Sequence, residues 1–516
     1  MTGNVLFVTV DQWRGDCVSA LGHPVVRTPS IDRLVAQGVA FTRHWAVTAP
    51  CGPSRASLHT GMYLQNHRSV ENGTPLDARF TNVALEARAA GYDPVLFGYT
   101  DATVDPRTVH DPSDQRLRSY EGVLPGFREV VRLTGEDLSS WARWLEARGV
   151  DVPSDPRRLY RPKPGYPEAT DHGSTWAPTQ FGAEHSEAAF LTDQVITWLD
   201  RRPEEPVSDR PFFVHVAYIR PHPPYRAPEG YHDLYEPDDG DPFRRHPDRD
   251  TESDMHVLHE MAVQVVGCPL DEREVRQTRA TYWANMTEVD HQLGRLLDHL
   301  DATGLTANTL VVLTSDHGDQ MGDHWLMEKL GWWDESYHVP LIVRDPRPAG
   351  DGARGRRVEA WTEHVDIAPT ICEWLGIEVS LQCDGRPLQP LLHGDDGPPG
   401  PAGDWRGEAH WEWDFRNPQL HIAEDILGVP MEQCCLAVVR DDAWKYVHFA
   451  TGESLLFDLA EDPDQLVNRA EDPECAAVRA DYAERMLSWR MGHDERTLTG
   501  HLVTSDGLVV RRDPRR

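Results

Sequence analysis

Lysine is almost absent from this chain of 516 residues, which contains only Lys163, Lys329 and Lys445. Acidic residues outnumber lysine and arginine by 84 to 51, so the formal net charge is −33 at pH 7. No stretch carries the cluster of basic residues that a nucleic-acid-binding face needs, and an acidic surface disfavours anionic membranes. The composition therefore predicts a globular protein that binds neither nucleic acid nor a membrane.

Cys-x-x-Cys motifs and long apolar runs are also missing. The eight cysteines form no Cys-x-x-Cys pair, which argues against a zinc knuckle. No apolar run approaches the length of a membrane-spanning helix. The first residues, MTGNVLFVTV, enter an apolar strand almost at once, without the pattern of a signal peptide. We therefore expect a cytoplasmic protein with free thiols.

Continuous apolar runs are the main secondary-structure signal, and they predict buried parallel strands. These runs lie at residues 5–10, 94–99, 212–219, 309–314 and 340–343. Helical patterns lie between them at 30–41, 82–91, 186–202, 273–301 and 366–376. This alternation of strands and helices predicts an α/β sandwich built on a mostly parallel sheet.

The carboxyl-terminal part of the sequence has a different pattern. A Pro- and Gly-rich linker lies near residues 395–407, and beyond it CCLAVVRDDAWKYVHF and SLLFDL predict antiparallel strands, followed by a helix at about 476–491. We predict a large α/β domain over residues 1–400 and a smaller α+β domain with an antiparallel sheet over 401–516. Two segments without periodicity, 103–185 and 221–270, are predicted to be site-building loops or lids.

Polar residues follow three of the predicted strands. Asp11 and Gln12 follow the first strand, His222 follows the third, and Asp316 and His317 follow the fourth. Ligands of open parallel sheets bind at the carboxyl ends of the strands, so a site is expected there. Two carboxylates, an amide oxygen and an imidazole favour a divalent ion such as Ca²⁺, Mg²⁺ or Mn²⁺ over a structural zinc.

Cys51 stands in an unusual setting for a structural cysteine, APCGPSRASLHTG at residues 49–61. Its Gly, Pro, Ser and Arg neighbours predict an exposed turn that leads into a short helix ending at Gly61. The start of a helix favours anions, which would lower the pKa of a thiol or stabilise an anionic adduct. Arg55, one helical turn on, suits a tetrahedral oxyanion. With a metal ion, these parts favour transfer of a phosphoryl-like group.

CGPSRASLHTG resembles the sulfatase signature Cys-x-Pro-Ser-Arg-x-x-x-Leu-x-Thr-Gly, which is long and specific. VTVDQWRGD, TSDHGDQMGDH, DIAPTICEWLG and LFDLAEDPDQLVNRAEDP resemble further sulfatase segments in the expected order, so the resemblance covers essentially the whole chain. It implies an alkaline-phosphatase-like α/β/α sandwich. It also implies that a formylglycine-generating maturation enzyme oxidises Cys51.

A narrower resemblance is to bacterial phosphonate monoester hydrolases, which also cleave phosphodiesters. It rests on NVLFVTVDQWRGD, GMYLQNHRSVENGTPLD, GYDPVLFGYT, YIRPHPPY and TLTGH. It implies a cytoplasmic homo-oligomer, a dimer or tetramer, that hydrolyses small anionic esters with one Mn²⁺, Ca²⁺ or Mg²⁺ ion. The metal ligands it implies are Asp11, Gln12, modified Cys51, Asp316 and His317. The catalytic residues it implies are Cys51, Arg55, His222, His317 and Lys329, and Asn72 and Tyr99 would bind substrate.

The segment after the second predicted strand separates the candidate activities. Many sulfatases carry Gly-Lys-Trp-His there, and that lysine and histidine hold sulfate, whereas this chain has Gly98-Tyr99-Thr100-Asp101. The difference favours phosphonate and phosphate esters over sulfate esters. Asp101 stands where the resembled hydrolases carry a threonine, and the sequence assigns it no role.

Three alternatives stay open at this point. A sulfatase that hydrolyses aryl or alkyl sulfate esters would use the same residues. A cysteine hydrolase would pair Cys51 with a histidine and leave VDQW and SDHGD without a role. A non-catalytic protein would only bind a metal or a partner, which the complete set of residues from Asp11 to Lys329 disfavours.

Overall fold

A computed structural model of the protein describes residues 3–167, 174–202, 210–394, 405–416 and 421–510. The strands in these residues are β1 (Asn4–Val10), β2 (Val39–Phe41), β3 (His44–Trp45), β4 (Pro94–Gly98), β5 (Arg128–Arg132), β6 (Phe213–Tyr218), β7 (Thr309–Ser315), β8 (Leu341–Arg344), β9 (Arg356–Val358), β10 (Thr362–Glu363), β11 (Ala409–Asp414), β12 (Cys435–Arg440), β13 (Trp444–Phe449), β14 (Ser454–Asp458), β15 (His501–Thr504) and β16 (Gly507–Val510).

The α-helices in the same residues are α1 (Pro29–Gln37), α2 (Cys51–Thr60), α3 (Leu64–His67), α4 (Val83–Ala89), α5 (Ser139–Glu146), α6 (Glu187–Arg201), α7 (Arg249–Ser253), α8 (Val257–Val266), α9 (Glu272–Ala302), α10 (Asp334–Tyr337), α11 (Ile367–Trp374), α12 (Gln389–Leu392), α13 (Ile422–Leu427) and α14 (Ala476–Gly492). None of these helices is both long enough and apolar enough to cross a membrane.

Eight strands form the central sheet in the order β5-β4-β6-β1-β7-β8-β2-β9. Strands β5, β4, β6, β1 and β7 run parallel, which confirms the predicted mostly parallel sheet. The prediction of a parallel strand at 340–343 is wrong, since β8 pairs antiparallel with β7 and sets Leu341 opposite Thr314. The chain leaves β7 at its carboxyl end, and residues 316–340 return it to the same edge of the sheet, so β8 runs in the opposite direction.

Helix layers cover both faces of this sheet. Leu6, Val8 and Val10 of β1 face a buried apolar cluster that includes residues of α1, α6 and α9. Val5 and Phe7 point to the opposite face, where α2, α4 and α11 pack. Alternate residues of a strand face opposite sides, so β1 is buried between two layers. The predicted α/β/α sandwich is confirmed.

The bounds of the predicted helices depend on local capping. Asn82 accepts hydrogen bonds from the N–H groups of Ala84 and Leu85, so α4 begins close to its predicted start. The predicted helix at 30–41 is wrong at its end, because α1 stops at Gln37 and the next residues form β2, which is too short to show a pattern. Strand β5 and helix α5 also form inside the segment 103–185, which has no clear periodicity.

Strands β11–β14 form the predicted antiparallel sheet, and α14 packs on it. This sheet packs directly against the chain segment that leads into α2. Glu412 N donates to Val47 O at 2.9 Å, and the ring of Trp411 stacks on that of Trp45. Residues 395–404, which contain most of the predicted linker and the boundary at residue 400, lie outside the described residues. The division into 1–400 and 401–516 stays a prediction.

Candidate active site

The carboxyl ends of β1 and β7 carry the candidate metal ligands. The two strands are neighbours and pair in register along their whole length. Asp11 and Gln12 therefore meet Asp316 and His317 at one edge of the sheet. Gln12 N donates to Asp316 Oδ1 at 3.1 Å, and all four side chains are buried.

Cys51 is the first residue of α2 and lies beside this cluster. Its Sγ is 3.1 Å from His317 Nε2, and only 4% of its surface is exposed. The prediction of an exposed turn is therefore wrong, because every residue of α2 is buried, with its apolar side chains packed against the sheet and α11. A Cβ at Gly52 would lie 3.0 Å from Asn72 Oδ1. The small residues that indicate a turn in the sequence here permit close packing.

The electrostatic setting of the thiol also differs from the prediction. Burial and the neighbouring carboxylate of Asp11 raise the pKa of Cys51 well above its usual value, although Lys329 opposes the shift. The expected lowering of this pKa by the helix start is therefore outweighed. This setting disfavours the thiolate that a cysteine hydrolase needs.

The donor atoms around Cys51 fit one divalent ion. Asp11, Cys51, Asp316 and His317 offer ligand atoms that all lie within 4.8 Å of one another. Asp11 Oδ1 is buried and has no hydrogen-bond partner among the described residues, which is costly unless a ligand meets it. His317 Nδ1 donates to Gly318 O at 3.0 Å, so the Nε2 lone pair is left for an ion. Burial lowers the pKa of His317 to about 4, which keeps the imidazole neutral.

Arg55 lies one helical turn after Cys51 and joins the acidic side chains of the site. Its Nη2 donates to Asp11 Oδ2 at 3.1 Å, and its Nε donates to Asp316 Oδ2 at 2.9 Å. Tyr99 OH accepts from Arg55 Nη2 at 3.1 Å and donates to Asp11 Oδ2. Arg55 and Tyr99 therefore orient the carboxylates that face the cluster.

Lys329 reaches the site through Gln12. Lys329 Nζ donates to Gln12 Oε1 at 2.7 Å, so the predicted role of Gln12 as a metal ligand stays a prediction. Gln12 Nε2 donates to Tyr225 OH at 3.1 Å and to Asp319 Oδ2. Sequence reasoning missed Tyr225 and Asp319, although both lie in the quoted segments YIRPHPPY and TSDHGDQMGDH. Burial raises the pKa of Asp319 to about 6.

Asn72 and His222 lie at the rim of the site. Asn72 Oδ1 accepts from Gly52 N at 2.8 Å and so satisfies a free N–H group at the start of α2. His222 is half-buried, and its Nδ1 donates to Pro223 O at 2.9 Å. Burial and the charge of Lys329 lower the pKa of His222 to about 3, so this ring is neutral. The structure thus brings the sequence-predicted site residues to one end of the sheet.

Two family models match the chain. The model described as Sulfatase matches residues 3–377, which include β1, α2 and β7. The model described as N-sulphoglucosamine sulphohydrolase, C-terminal, matches residues 322–492. The first match covers well over half of the chain and contains the whole candidate site.

Three similar proteins match over nearly the full length. The multifunctional alkaline phosphatase superfamily protein PehA of Trinickia caryophylli is 39% identical over 526 residues, which is 98% of this chain and 99% of that protein. A phosphonate monoester hydrolase of Agrobacterium radiobacter is 43% identical with a TM-score of 0.92, covering 99% of this chain and 100% of that one. A phosphonate monoester hydrolase from Silicibacter pomeroyi is 37% identical with a TM-score of 0.90, covering 99% of both chains. The chain belongs to the sulfatase family of the alkaline phosphatase superfamily.

Proposed function

We propose that this protein is a metal-dependent hydrolase of phosphonate monoesters and phosphodiesters, with a formylglycine made from Cys51 as its nucleophile. The observation that carries the proposal is the buried cluster around Cys51, in which Asp11 Oδ1 has no hydrogen-bond partner among the described residues. The two phosphonate monoester hydrolases that match at 43% and 37% identity support the substrate class.

Asp11, Asp316, His317 and the modified Cys51, with Gln12 as the further predicted ligand, would hold one Mn²⁺, Ca²⁺ or Mg²⁺ ion. When present, the ion supplies Lewis acidity and the aldehyde hydrate supplies the attacking oxygen. His317 Nε2, which faces Cys51, is placed to act as a ligand or to accept a proton there. These roles of individual residues are part of the proposal.

Lys329 is the better candidate to protonate the leaving group. Burial disfavours the charge of Lys329, but the neighbouring carboxylates, including those of Glu328 and Asp11, favour it and raise the pKa of Lys329 above the usual value. Lys329 Nζ therefore carries a proton that it can donate. His222 is neutral and holds its one proton on Nδ1, against Pro223 O, so its Nε2 has no proton to donate to a leaving group. Arg55 balances the charge of the carboxylates beside the transferred group.

The test is a panel of 4-nitrophenyl esters on metal-loaded protein. We expect a phosphonate monoester and a phosphodiester to be hydrolysed with higher kcat/KM than a sulfate ester, and a chelator to abolish turnover. A clear preference for the aryl sulfate would instead assign the protein as a sulfatase. Full activity after removal of the metal would contradict the proposed chemistry.

Position 51 has its own test. Cys51→Ala should lower turnover by at least about a thousandfold while the protein stays folded, whereas Cys372→Ala, at a buried thiol of α11, should keep the activity. Mass analysis of the active protein should show the peptide of Cys51 lighter by about 18 Da. An unmodified thiol in fully active protein would contradict the aldehyde.

The proposal also includes a cellular setting. A formylglycine-generating enzyme is the expected partner, and a cytoplasmic homo-oligomer, a dimer or tetramer, is the expected form. Co-expression with a maturation enzyme should raise both the modified fraction of Cys51 and the specific activity, which peptide mass analysis measures directly.

A further inference from the structure

Asp101 is a buried carboxylate in the candidate site to which the proposed chemistry assigns no role. Its side chain is 3% exposed, and its Oδ2 lies 3.8 Å from Arg55 Nε. Its Oδ1 is buried without a hydrogen-bond partner among the described residues. Its main-chain oxygen lies 3.3 Å from the point that a Cβ of Gly52 would occupy, at the start of α2 beside Cys51. Asp101 therefore borders the space in which the transferred group must lie.

The charge of Asp101 is poorly balanced. Arg55 is its ion-pair partner, but the same guanidinium donates to Asp11 at 3.1 Å and to Asp316 at 2.9 Å, both closer than Asp101. The negative charges of Asp11, Glu121 and Asp316 all act against ionisation of Asp101. When it is ionised, the carboxylate of Asp101 thus adds negative charge to the site beyond what Arg55 neutralises.

The backbone holds this carboxylate in place. Asp101 has a φ of 50°, in the left-handed region that aspartate and asparagine tolerate better than most residues. The preceding residue, Thr100, is held through both its main chain and its side chain by one segment. Thr100 N donates to Gly122 O, and Leu124 N donates to Thr100 Oγ1 at 2.8 Å. These contacts fix the main chain that places the Asp101 carboxylate 3.8 Å from Arg55 Nε.

We propose that Asp101 is a specificity-determining residue that favours ester groups with one negative charge over those with two. This inference rests on the proposed function and deepens it. Phosphonate monoesters and phosphodiesters carry one charge on the reacting group, whereas phosphate monoesters carry two near neutral pH.

Electrostatics gives the direction and the size of the effect. Whatever ion the cluster around Cys51 holds, an ionised Asp101 makes the site more negative by one unit. A doubly charged group is repelled by this charge twice as strongly as a singly charged one. For a partly buried pair a few ångströms apart, the difference corresponds to a selectivity on the order of tenfold to a hundredfold.

Protonation of Asp101 gives a second signature. Burial raises the pKa of Asp101, and the positive charge of Arg55 opposes this without cancelling it. A protonated Asp101 no longer repels a dianion, and its hydroxyl can donate to it. Because rising pH ionises Asp101, selectivity for singly charged esters should increase with pH.

Asp101→Asn tests the inference with an uncharged side chain of the same shape that also accepts a positive φ. The substrates are bis(4-nitrophenyl) phosphate, with one charge, and 4-nitrophenyl phosphate, with two above about pH 7.5. We expect the ratio of their kcat/KM values to fall on the order of tenfold or more in Asp101→Asn, mainly through a lower KM for the monoester. The ratio should also depend less on pH in Asp101→Asn than in the wild-type protein, since the asparagine side chain does not ionise.

Glu146→Gln is the matched control, since it removes one negative charge from an exposed position on α5. It should leave the ratio unchanged. An equal loss of activity on both esters in Asp101→Asn would show that Asp101 only positions Arg55, and an unchanged ratio would overturn the inference. If the wild-type protein hydrolyses neither ester, the proposed function fails first, and the inference with it.

A binding measurement provides a readout that needs no turnover. In the Cys51→Ala background, calorimetry should show phenyl phosphate, a dianion, binding on the order of tenfold more tightly after Asp101→Asn. The affinity for methyl phenyl phosphate, a monoanion, should change much less. Equal changes for both ligands would contradict the charge argument, and if neither ligand binds, the kinetic ratio decides.

Discussion

Tyr99 shows how a single hydroxyl can hold the site together. It accepts from Arg55 Nη2 and donates to Asp11 Oδ2, and the Arg55 guanidinium lies 4.2 Å from the centre of its ring. With Oδ2 of Asp11 occupied in this way, Oδ1 is the oxygen that faces the cluster without a partner among the described residues. At the scale of the residue, Tyr99 therefore orients Asp11, a proposed metal ligand, in addition to its predicted role in substrate binding.

Tyr99→Phe should weaken metal binding about 10- to 100-fold, because Asp11 loses the bond that orients it. The measurement is the metal content of the protein after dialysis against graded metal concentrations. Tyr92→Phe is the control, since that hydroxyl donates to Gly3 O at 2.9 Å, away from the site. An unchanged affinity in Tyr99→Phe would contradict the orienting role.

The chemistry of single residues could be predicted from the sequence, but their burial could not. Asp11 and Asp316 were identified because strand ends and motif spacing depend on local sequence. The burial of Cys51 and the position of Asp101 depend on distant segments, such as Asn72 against Gly52 and residues 122–124 against Thr100. Such contacts leave no local pattern.

At the scale of the element, Ser186 joins two long helices of one layer. Its Oγ accepts from Ala189 N at 3.0 Å and caps α6, and it donates to Glu288 Oε1 of α9 at 2.6 Å. Burial raises the pKa of Glu288 to about 8. One hydroxyl thus satisfies both a helix end and a buried carboxyl group.

Ser186→Ala should lower the free energy of unfolding by about 1–2 kcal/mol, because a helix cap is lost and the buried Glu288 loses a partner. Denaturant unfolding followed by circular dichroism measures the effect. Ser186→Thr keeps the hydroxyl and should lose less than half as much. A loss of equal size in both variants would point to packing at this position and not to the cap.

The elements themselves differ in how well the sequence predicts them. Long amphipathic helices and fully buried strands, such as α9 and β7, form close to their predicted bounds because a periodic pattern extends over many residues. Strand β2 has three residues and shows no such pattern. The direction of β8 depends on where residues 316–340 return the chain, which apolar composition does not encode.

At the scale of the whole molecule, a buried charged group links the site loop to more distant segments. His324 lies in the loop after β7, its Nδ1 is 2.7 Å from Glu252 Oε1 of α7, and its ring stacks on Trp333. Burial alone would lower its pKa, but the carboxylates of Glu252 and Glu335 outweigh burial and raise it to about 9. The protonated ring therefore stabilises the fold.

The sign of the pH dependence follows from this shift. The contribution of His324 is fully present below its unfolded pKa of about 6.5 and is lost as pH rises through about 9. It amounts to at most about 3 kcal/mol. The melting temperature of the wild-type protein should therefore decrease as the pH is raised from 6.5 to 9.5.

His324→Gln should be less stable than the wild type at pH 6.5 and should depend less on pH over the same range. Melting curves of both proteins at matched ionic strength measure the difference. If the two proteins lose stability in parallel as pH rises, the pH dependence arises from groups other than His324.

The burial of Cys51 limits when the proposed modification can take place. Once α2 has packed against the sheet, a modifying enzyme has no access to Cys51, a residue that is only 4% exposed. As proposed, oxidation must then take place on the nascent or unfolded chain, in competition with folding. If Cys51 is modified as proposed, a molecule that folds first would keep the thiol, and a preparation would contain two populations fixed during synthesis. The specific activity of a batch would then report the fraction of molecules that were modified before they folded.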